Sequence, residues 1–173
     1  WTIPANIAVA VDQNLDYSLI NHNKKNYWVA KEATERIFGN SYKSVKTVKG
    51  KSLLGLKYQG PFDHFPAVAK VAAANPDKFH TVVATDPQIL PIVTTEGAGL
   101  VHTAVSAGTE DFKLGQKLGL PMIPVIADNA DYIDGFDFLS GKNAKKHPEL
   151  ILDYLRTTPY AMRVEPYTHR YPA

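Results

Sequence analysis

The feature that most constrains the fold of this chain is a series of short β-type segments separated by turn residues. Segments rich in Val, Ile, Leu, Tyr and Thr recur at 7–11, 17–20, 27–30, 44–48, 53–58, 81–84, 91–94, 100–103 and 122–126. Gly-Pro, Asn-Pro and Asp-Pro pairs, which favour turns, stand between several of them. Strands outnumber helices and do not alternate with them regularly, so a doubly wound parallel sheet is disfavoured. The pattern predicts a mainly β fold, a β-barrel decorated by peripheral α-helices.

Three segments carry helix signals. Segment 31–38 ends before Gly39, a residue type that commonly follows a helix C-terminus. A second helix is predicted after Thr109 as N-cap, because acidic residues that favour a helix N-terminus follow it. A third is predicted to begin near Pro148, a good first helical residue, with apolar side chains along one stripe.

Composition and charge restrict the classes of function. The 173 residues include 19 Lys and Arg against 17 Asp and Glu, and a net charge of +2 gives no general attraction to nucleic acid. The absence of Cys excludes thiolate nucleophiles and thiolate-bound metals and fits a reducing compartment. No apolar run approaches the roughly 20 residues of a membrane span. The sequence starts at Trp1 without Met, and we expect one domain, 1–173, cut from a longer protein.

Searches for cofactor and metal motifs give negative results. The pair Gly97 and Gly99 lacks the third glycine of a dinucleotide-binding fingerprint, and no Walker A sequence is present. The six histidines show no HExxH or other close pairing. The acidic run 128–137 places Ala130 and Tyr132 where a calcium loop needs ligands. We therefore predict no cofactor and no metal.

The segment GAGLVHTAVSAGTEDF, residues 97–112, holds the main candidate chemistry. It predicts a Gly-rich turn, a strand ending near His102, a short loop, and a helix start bearing Asp111. His102 would then close one side of a pocket while Asp111 offers a carboxylate to a cation. The alternative is structural: a histidine hydrogen-bonded to backbone, and an aspartate that only favours the helix dipole.

A serine esterase is a second interpretation of the same segment. The run Ala-Val-Ser-Ala-Gly around Ser106 imitates a nucleophile elbow with Ala for its first Gly. Asp131 and then His147 or His169 follow in the chain order of such a triad. Against this hypothesis, no HGGG-like oxyanion segment precedes the serine and no regular parallel sheet is predicted.

Two sequence motifs give this chain a specific resemblance to a known protein family. WTIPANIAVAV at the start and GAGLVHTAVSAGTEDF further on resemble, in the same order, the threonine-rich segment and the second editing motif of isoleucyl-tRNA synthetases. KGKSLLGLKYQGPF between them and EPYTHRYP at the end are similar to other parts of the same insertion, so the resemblance covers essentially the whole chain. Trp1, Thr2 and His102 favour the isoleucyl branch over the related valyl and leucyl enzymes.

The resemblance implies the editing domain, the CP1 insertion, of a class I synthetase. Its fold would be a closed β-barrel of about six strands with peripheral helices. No HIGH-like or KMSKS-like sequence is present, so the chain should hydrolyse and not activate amino acids. A binding pocket distinguishes amino acids that differ by one methylene, such as isoleucine and valine, only weakly, and isoleucyl-tRNA synthetase is the standard example of this limit. A second, hydrolytic site removes the wrongly attached amino acid. The implied substrates are valyl-tRNA(Ile) and valyl-adenylate.

The resemblance also implies roles for individual residues. Asp111 would hold the α-ammonium of the misattached valine, and His102 would line the side-chain pocket and exclude isoleucine; these are the two expected catalytic residues. Trp1, Thr2 and Asn6 would surround the substrate and the terminal adenosine. The anchored ester would be attacked by water, so no protein nucleophile is required.

The chain departs from the family pattern in three places. Ala98 stands where the family has Thr, Val105 and Ser106 replace the usual Pro with its neighbour, and the threonines before Trp1 are absent. The implied partners are the 3′ acceptor end of tRNA(Ile) carrying valine and the remainder of the synthetase in cis. A monomer in the cytoplasm, without membrane contact, is expected. A non-catalytic module that binds the tRNA acceptor end remains the alternative.

Overall fold

The computed structural model describes residues 1–164, which contain six strands and four α-helices. The strands are β1 Ala8–Val11, β2 Asp16–His22, β3 Lys25–Ala30, β4 Lys43–Lys49, β5 Thr81–Ala84 and β6 Leu100–Thr103. The helices are α1 Thr34–Phe38, α2 Pro66–Ala74, α3 Thr109–Leu118 and α4 Glu149–Arg156. His169 and the terminal EPYTHRYP motif lie outside the described residues.

The strands form two sheets of three. In the first, β1 lies between a parallel β5 and an antiparallel β6. In the second, β2 lies between β3 and β4, both antiparallel to it. Asn23 and Lys24 both have positive φ, 51° and 63°, as a tight turn joining two twisted antiparallel strands requires. One mixed and one antiparallel sheet with four α-helices confirm the predicted combination of strands and helices, but the α-helices contain as many residues as the strands, so the fold of the described residues is not mainly β.

The two sheets are tied together by individual hydrogen bonds. The buried Tyr17 hydroxyl donates to the Gly99 carbonyl at 2.7 Å, and the Ala30 N–H donates to the Ala98 carbonyl at 2.8 Å. Among residues 1–164 no strand ladder joins the sheets. The strand pairing in residues 1–164 therefore does not show the predicted closed barrel.

Helix ends with a strong local signal agree with the sequence prediction. Helix α1, preceded by a 3-10 turn over Lys31–Ala33, ends before Gly39, which has φ 57°. Helix α4 begins directly after Pro148. Helix α3 begins at Thr109 itself, so the predicted N-cap is wrong by one residue and Gly108 occupies that position. Helix α2 was not predicted, although Pro66 at its first turn is a start signal.

Three predicted strands are wrong. Segment 53–58 turns at Gly55, with φ 81°, and makes only scattered hydrogen bonds to residues 80–82. Segment 122–126 contains a proline, which cannot donate to a ladder, and forms a single bridge between Ile126 and Tyr132. Segment 91–94 lies in a loop.

The described helices are all too short or too polar to cross a lipid bilayer.

Candidate functional site

The connection between β6 and α3 holds the Asp111 carboxylate in place. Asp111 lies in the first turn of α3, and its Oδ2 accepts the Ala104 N–H at 2.9 Å. Gly108 provides the room, because a Cβ there would lie 3.2 Å from that oxygen. The carboxylate is therefore fixed against the loop that precedes its own helix, and the order of strand, loop and helix over 97–112 is the predicted one.

His102 lies on β6, opposite Val9 of β1. Its Nδ1 is 2.8 Å from the Nδ2 atom of Asn6. Desolvation by the surrounding protein lowers the pKa of His102, although the residue keeps an exposed face, and the Trp1 ammonium lowers it further; the Asp111 carboxylate and a hydrogen bond to the Thr2 backbone oppose these effects. The neutral imidazole is therefore favoured near pH 7. The motif residues Thr2, Asn6, His102 and Asp111 thus come together, although the two motifs are far apart in sequence.

Asn6 is the centre of this group. Its Nδ2 donates to the Ala8 carbonyl at 2.9 Å as well as to His102, and its Oδ1 accepts the Tyr58 hydroxyl at 2.5 Å. Because a carbonyl oxygen can only accept, the bond to Ala8 fixes which end of the amide is nitrogen. Asn6 therefore presents an N–H, and not an oxygen, to the imidazole.

Trp1 lies near the β6–α3 connection, and its α-ammonium is close enough to His102 to lower the pKa of that imidazole. The Trp1 side chain is 37% exposed and lines a cavity of about 550 Å³. The cavity wall also contains Val105, Ser106, Ala107, Gly108, Thr109, Phe112, Met122, Pro124, Val125 and Ile126. Trp1 is thus near the loop that carries Asp111, but it shares no cavity lining with His102.

A smaller cavity of about 210 Å³ opens beside Asn6 and His102. Four further polar residues line it: Tyr58, Gln59, Asp63 and His80. Sequence reasoning did not select them as site residues. Tyr58 lies within one of the motifs that carry the family resemblance, whereas no spacing or periodicity joins Asp63 or His80 to it.

The structure does not assemble the serine triad. The Ser106 hydroxyl donates to the Ile123 carbonyl at 2.6 Å. The Asp131 carboxylate accepts from Asn129 and Asn143, and His147 is paired with Glu149 at 3.2 Å. Among residues 1–164, no histidine is hydrogen-bonded to Ser106, so the described contacts do not support the esterase hypothesis.

Residues 1–164 also contain no group of three or more His, Asp or Glu side chains placed to hold a metal ion.

Sequence comparisons identify relatives across nearly the whole chain. Isoleucine–tRNA ligases from Methanothermobacter marburgensis, Saccharolobus solfataricus and Clostridium novyi are 33%, 32% and 30% identical over 171, 177 and 172 residues. Each alignment covers 99% of this chain but only 15%, 17% and 15% of the relative. A scan against protein-family models finds no match.

Structural comparison gives the same result for the fold. The crystal structure of GlLeuRS-CP1, a leucyl-tRNA synthetase CP1 domain, matches with a TM-score of 0.68 at 13% identity, over 98% of this chain and 81% of the other. Identity this low supports the fold alone. The chain is thus a homologue of the isoleucyl-tRNA synthetases that corresponds to about a sixth of their length, and it has the fold of a synthetase CP1 editing domain.

Proposed function

We propose that the chain hydrolyses the ester of valine with tRNA(Ile), as the editing domain of an isoleucyl-tRNA synthetase, and that it accepts valyl-adenylate as a second substrate. The observation that supports this proposal most is the fixed carboxylate of Asp111, which is near enough to His102 to raise the pKa of that imidazole, while His102 is hydrogen-bonded to the amide of Asn6. An aminoacyl ester offers a matching ammonium group.

Asp111 binds the α-ammonium in this mechanism. Oδ2 of Asp111 accepts the hydrogen bond from the Ala104 N–H, and Oδ1 of the same carboxylate is available to bind a cation. Holding the ammonium fixes the neighbouring ester carbonyl and orients it toward water. Water then attacks the carbonyl, backbone donors stabilise the oxyanion, and the ribose oxygen leaves with a proton.

His102 and Asn6 act on the substrate as neutral groups. An imidazolium at His102 would compete with the substrate ammonium for Asp111, whereas a neutral ring does not. In this proposal His102 lines the side-chain pocket and sets its size, so that valine enters and isoleucine does not. Trp1, Thr2 and Asn6 contact the rest of the aminoacyl-adenosine.

The proposal includes the setting of the domain. Residues 1–173 form one editing unit, whose two sheets close into a barrel through contacts such as Ala30 to Ala98. The partners are the acceptor end of tRNA(Ile) and the rest of the synthetase in cis, in the cytoplasm and without self-association. The relatives are about six times as long as the segment that matches.

The test is deacylation of valyl-tRNA(Ile) and isoleucyl-tRNA(Ile) by the chain, alone and extended by the threonines that precede Trp1 in the family. Asp111→Asn removes the charge and keeps the shape of the side chain, and Asp153→Asn on the exposed face of α4 is the matched control. We expect preferential cleavage of the valyl ester and a loss of about 10-fold to 100-fold in Asp111→Asn alone, as for a lost charge-assisted hydrogen bond.

Two results would contradict the proposal. Equal cleavage of both esters would remove the editing role. Tight binding of the acceptor end without cleavage, in both the short and the extended chain, would support the non-catalytic binding module instead.

A further inference from the structure

A second polar cluster lies behind the proposed site and is not used by the mechanism above. Tyr58, Asp63 and His80 line the cavity of about 210 Å³ together with Asn6 and His102. None of the three is in the two motifs that carry the proposed chemistry. Tyr58 and His80 contact Asn6 directly, and Asp63 lies against His80.

His80 is held in one orientation from several sides. The residue is only 3% exposed. Its ring stacks on Tyr58 and on Phe79, with centroid distances of 4.5 and 3.9 Å. Its backbone has φ 46°, a left-handed conformation that costs free energy for any residue other than glycine and is found most often where function requires it. The imidazole therefore has little freedom to turn.

Oxygen atoms face both ring nitrogens of His80. The Asn6 backbone carbonyl is 3.2 Å from Nε2, and Oδ1 of Asp63 is 3.3 Å from Nδ1. A carbonyl can only accept, so Nε2 carries a proton and donates it to Asn6. The Nδ1 and Oδ1 atoms are buried without an aligned hydrogen-bond partner among the described residues, an uncommon arrangement that costs stability. Burial lowers the pKa of His80, and Asp63 opposes this effect.

Tyr58 and His80 together fix Asn6 at both its ends. His80 binds the backbone carbonyl of Asn6, and the Tyr58 hydroxyl binds Oδ1 of its side chain. Burial raises the pKa of Tyr58, so its hydroxyl stays protonated and acts as the donor. With Ala8 accepting one amide hydrogen at 2.9 Å, the other is directed to Nδ1 of His102 at 2.8 Å, a much shorter contact than the 3.5 Å to the Thr103 carbonyl. That nitrogen must accept, and neutral His102 carries its proton on Nε2.

Building on the proposed function, we propose that Tyr58 and His80 are positioning residues that hold Asn6 and thereby set the tautomer and orientation of His102. Asp63 lies beside His80 without an aligned hydrogen bond to it, and its Oδ2 accepts the Gly60 N–H at 2.9 Å. Gly60 is required there, since a Cβ would lie 2.8 Å from the imidazole.

The first test uses Tyr58→Phe, which removes one hydroxyl and leaves the ring that stacks on His80. Tyr132→Phe is the control, because Tyr132 is a buried core tyrosine that packs against Phe136 and does not line the cavity beside Asn6. Long-range proton–nitrogen NMR correlations report which imidazole nitrogen of His102 carries the proton. The signals of His102 are identified as those that are missing from the spectrum of His102→Gln. The kcat and KM for valyl-tRNA(Ile) deacylation are measured on the same samples.

We expect the wild type and Tyr132→Phe to show His102 protonated on Nε2. Tyr58→Phe should give a mixture of both tautomers and a kcat lowered about tenfold, with KM changed by less than that factor. His80→Phe keeps a stacking ring and removes the donor to the Asn6 carbonyl, and it should move both readouts in the same direction, with His147→Phe as its control. The second variant keeps the test valid if either substitution prevents folding.

The NMR signature separates this inference from the proposed function. If the wild type leaves valyl-tRNA(Ile) intact but the tautomer still changes in Tyr58→Phe, the function fails and the positioning role stands. If the wild type cleaves the ester and both Tyr58→Phe and His80→Phe keep the wild-type tautomer and kcat, the positioning role is wrong and the function stands.

Discussion

The neutral form of His102 is the residue-scale property that the proposed chemistry needs most. Desolvation lowers the pKa of His102, and burial also lowers the pKa of His80 behind it. A protonated ring at either position would place a second cation near Asp111 or Asn6 and would disturb the hydrogen bonds that Asn6 makes. The site therefore combines one fixed anion with imidazoles kept in their uncharged state.

The lowered pKa values predict how stability depends on pH. An unfolded histidine titrates near pH 6.5, so just below that value the unfolded chain binds more protons than the folded chain. The contribution of the buried His80 to the free energy of unfolding is present above about pH 6.5 and is lost as pH falls through its folded pKa; that of His102 is smaller, because solvent screens its exposed face. Urea unfolding at several pH values should show this loss.

His80→Gln should reduce that pH dependence, and His147→Gln, at an exposed position, should not. A free energy of unfolding that rises as the pH falls below 6.5, or the same slope in His80→Gln as in the wild type, would contradict the assignment.

Sequence reasoning found the residues of the site that belong to contiguous motifs and missed those that act through space. Asp111 and His102 were predicted from one short segment, and Asn6 from the resemblance. Tyr58 and His80 contact Asn6 across 52 and 74 residues of chain. No periodicity encodes such a contact, because it depends on how the loops before and after α2 pack against β1.

At the scale of elements, α3 and the loop before it behave as one unit. The loop turns through hydrogen bonds from the Ala107 and Gly108 N–H groups to the Ala104 carbonyl. The helix packs back on this loop at Gly115, where a Cβ would lie 2.6 Å from both methyl carbons of Val105. This close approach sets the position from which Asp111 reaches the loop.

Gly115→Ala gives a prediction in which two effects oppose each other. Helix propensity alone favours alanine by about 1 kcal/mol, whereas overpacking against Val105 costs about 1–3 kcal/mol. We expect the free energy of unfolding to fall and deacylation to slow, as α3 moves away from the loop. Gln116→Ala, on the exposed side of the same helix, should leave both unchanged. An unaltered or increased stability in Gly115→Ala would show that the packing is looser than described.

The elements could be predicted where a local signal marks them. Gly39 and Pro148 marked helix ends correctly, because their backbone preferences act within one turn. Segments 53–58 and 122–126 have strand-like composition but are interrupted by a glycine turn and a proline. Their hydrogen bonds are decided by neighbours that sequence alone does not reveal.

At the scale of the whole molecule, the proposed site lies where the N-terminal segment, β6 and α3 converge. Its polar groups stand at the edge of a core that contains Ile7, Ala8, Ala104 and Val105. The rigid core is what allows a few hydrogen bonds to place one carboxylate. The claim on which the function depends is that this carboxylate recognises the ammonium of the substrate.

The measurement that tests this claim most directly is deacylation of valyl-tRNA(Ile) and of its N-acetylated form by the wild type and by Asp111→Asn. Acetylation removes the substrate charge, and the substitution removes the charge on Asp111, so the four rates form a double-mutant cycle. We predict that either change alone slows hydrolysis about 10-fold to 100-fold and that the two together add little more. If the wild type cleaves both substrates equally fast, or if the two losses multiply, Asp111 does not bind the ammonium.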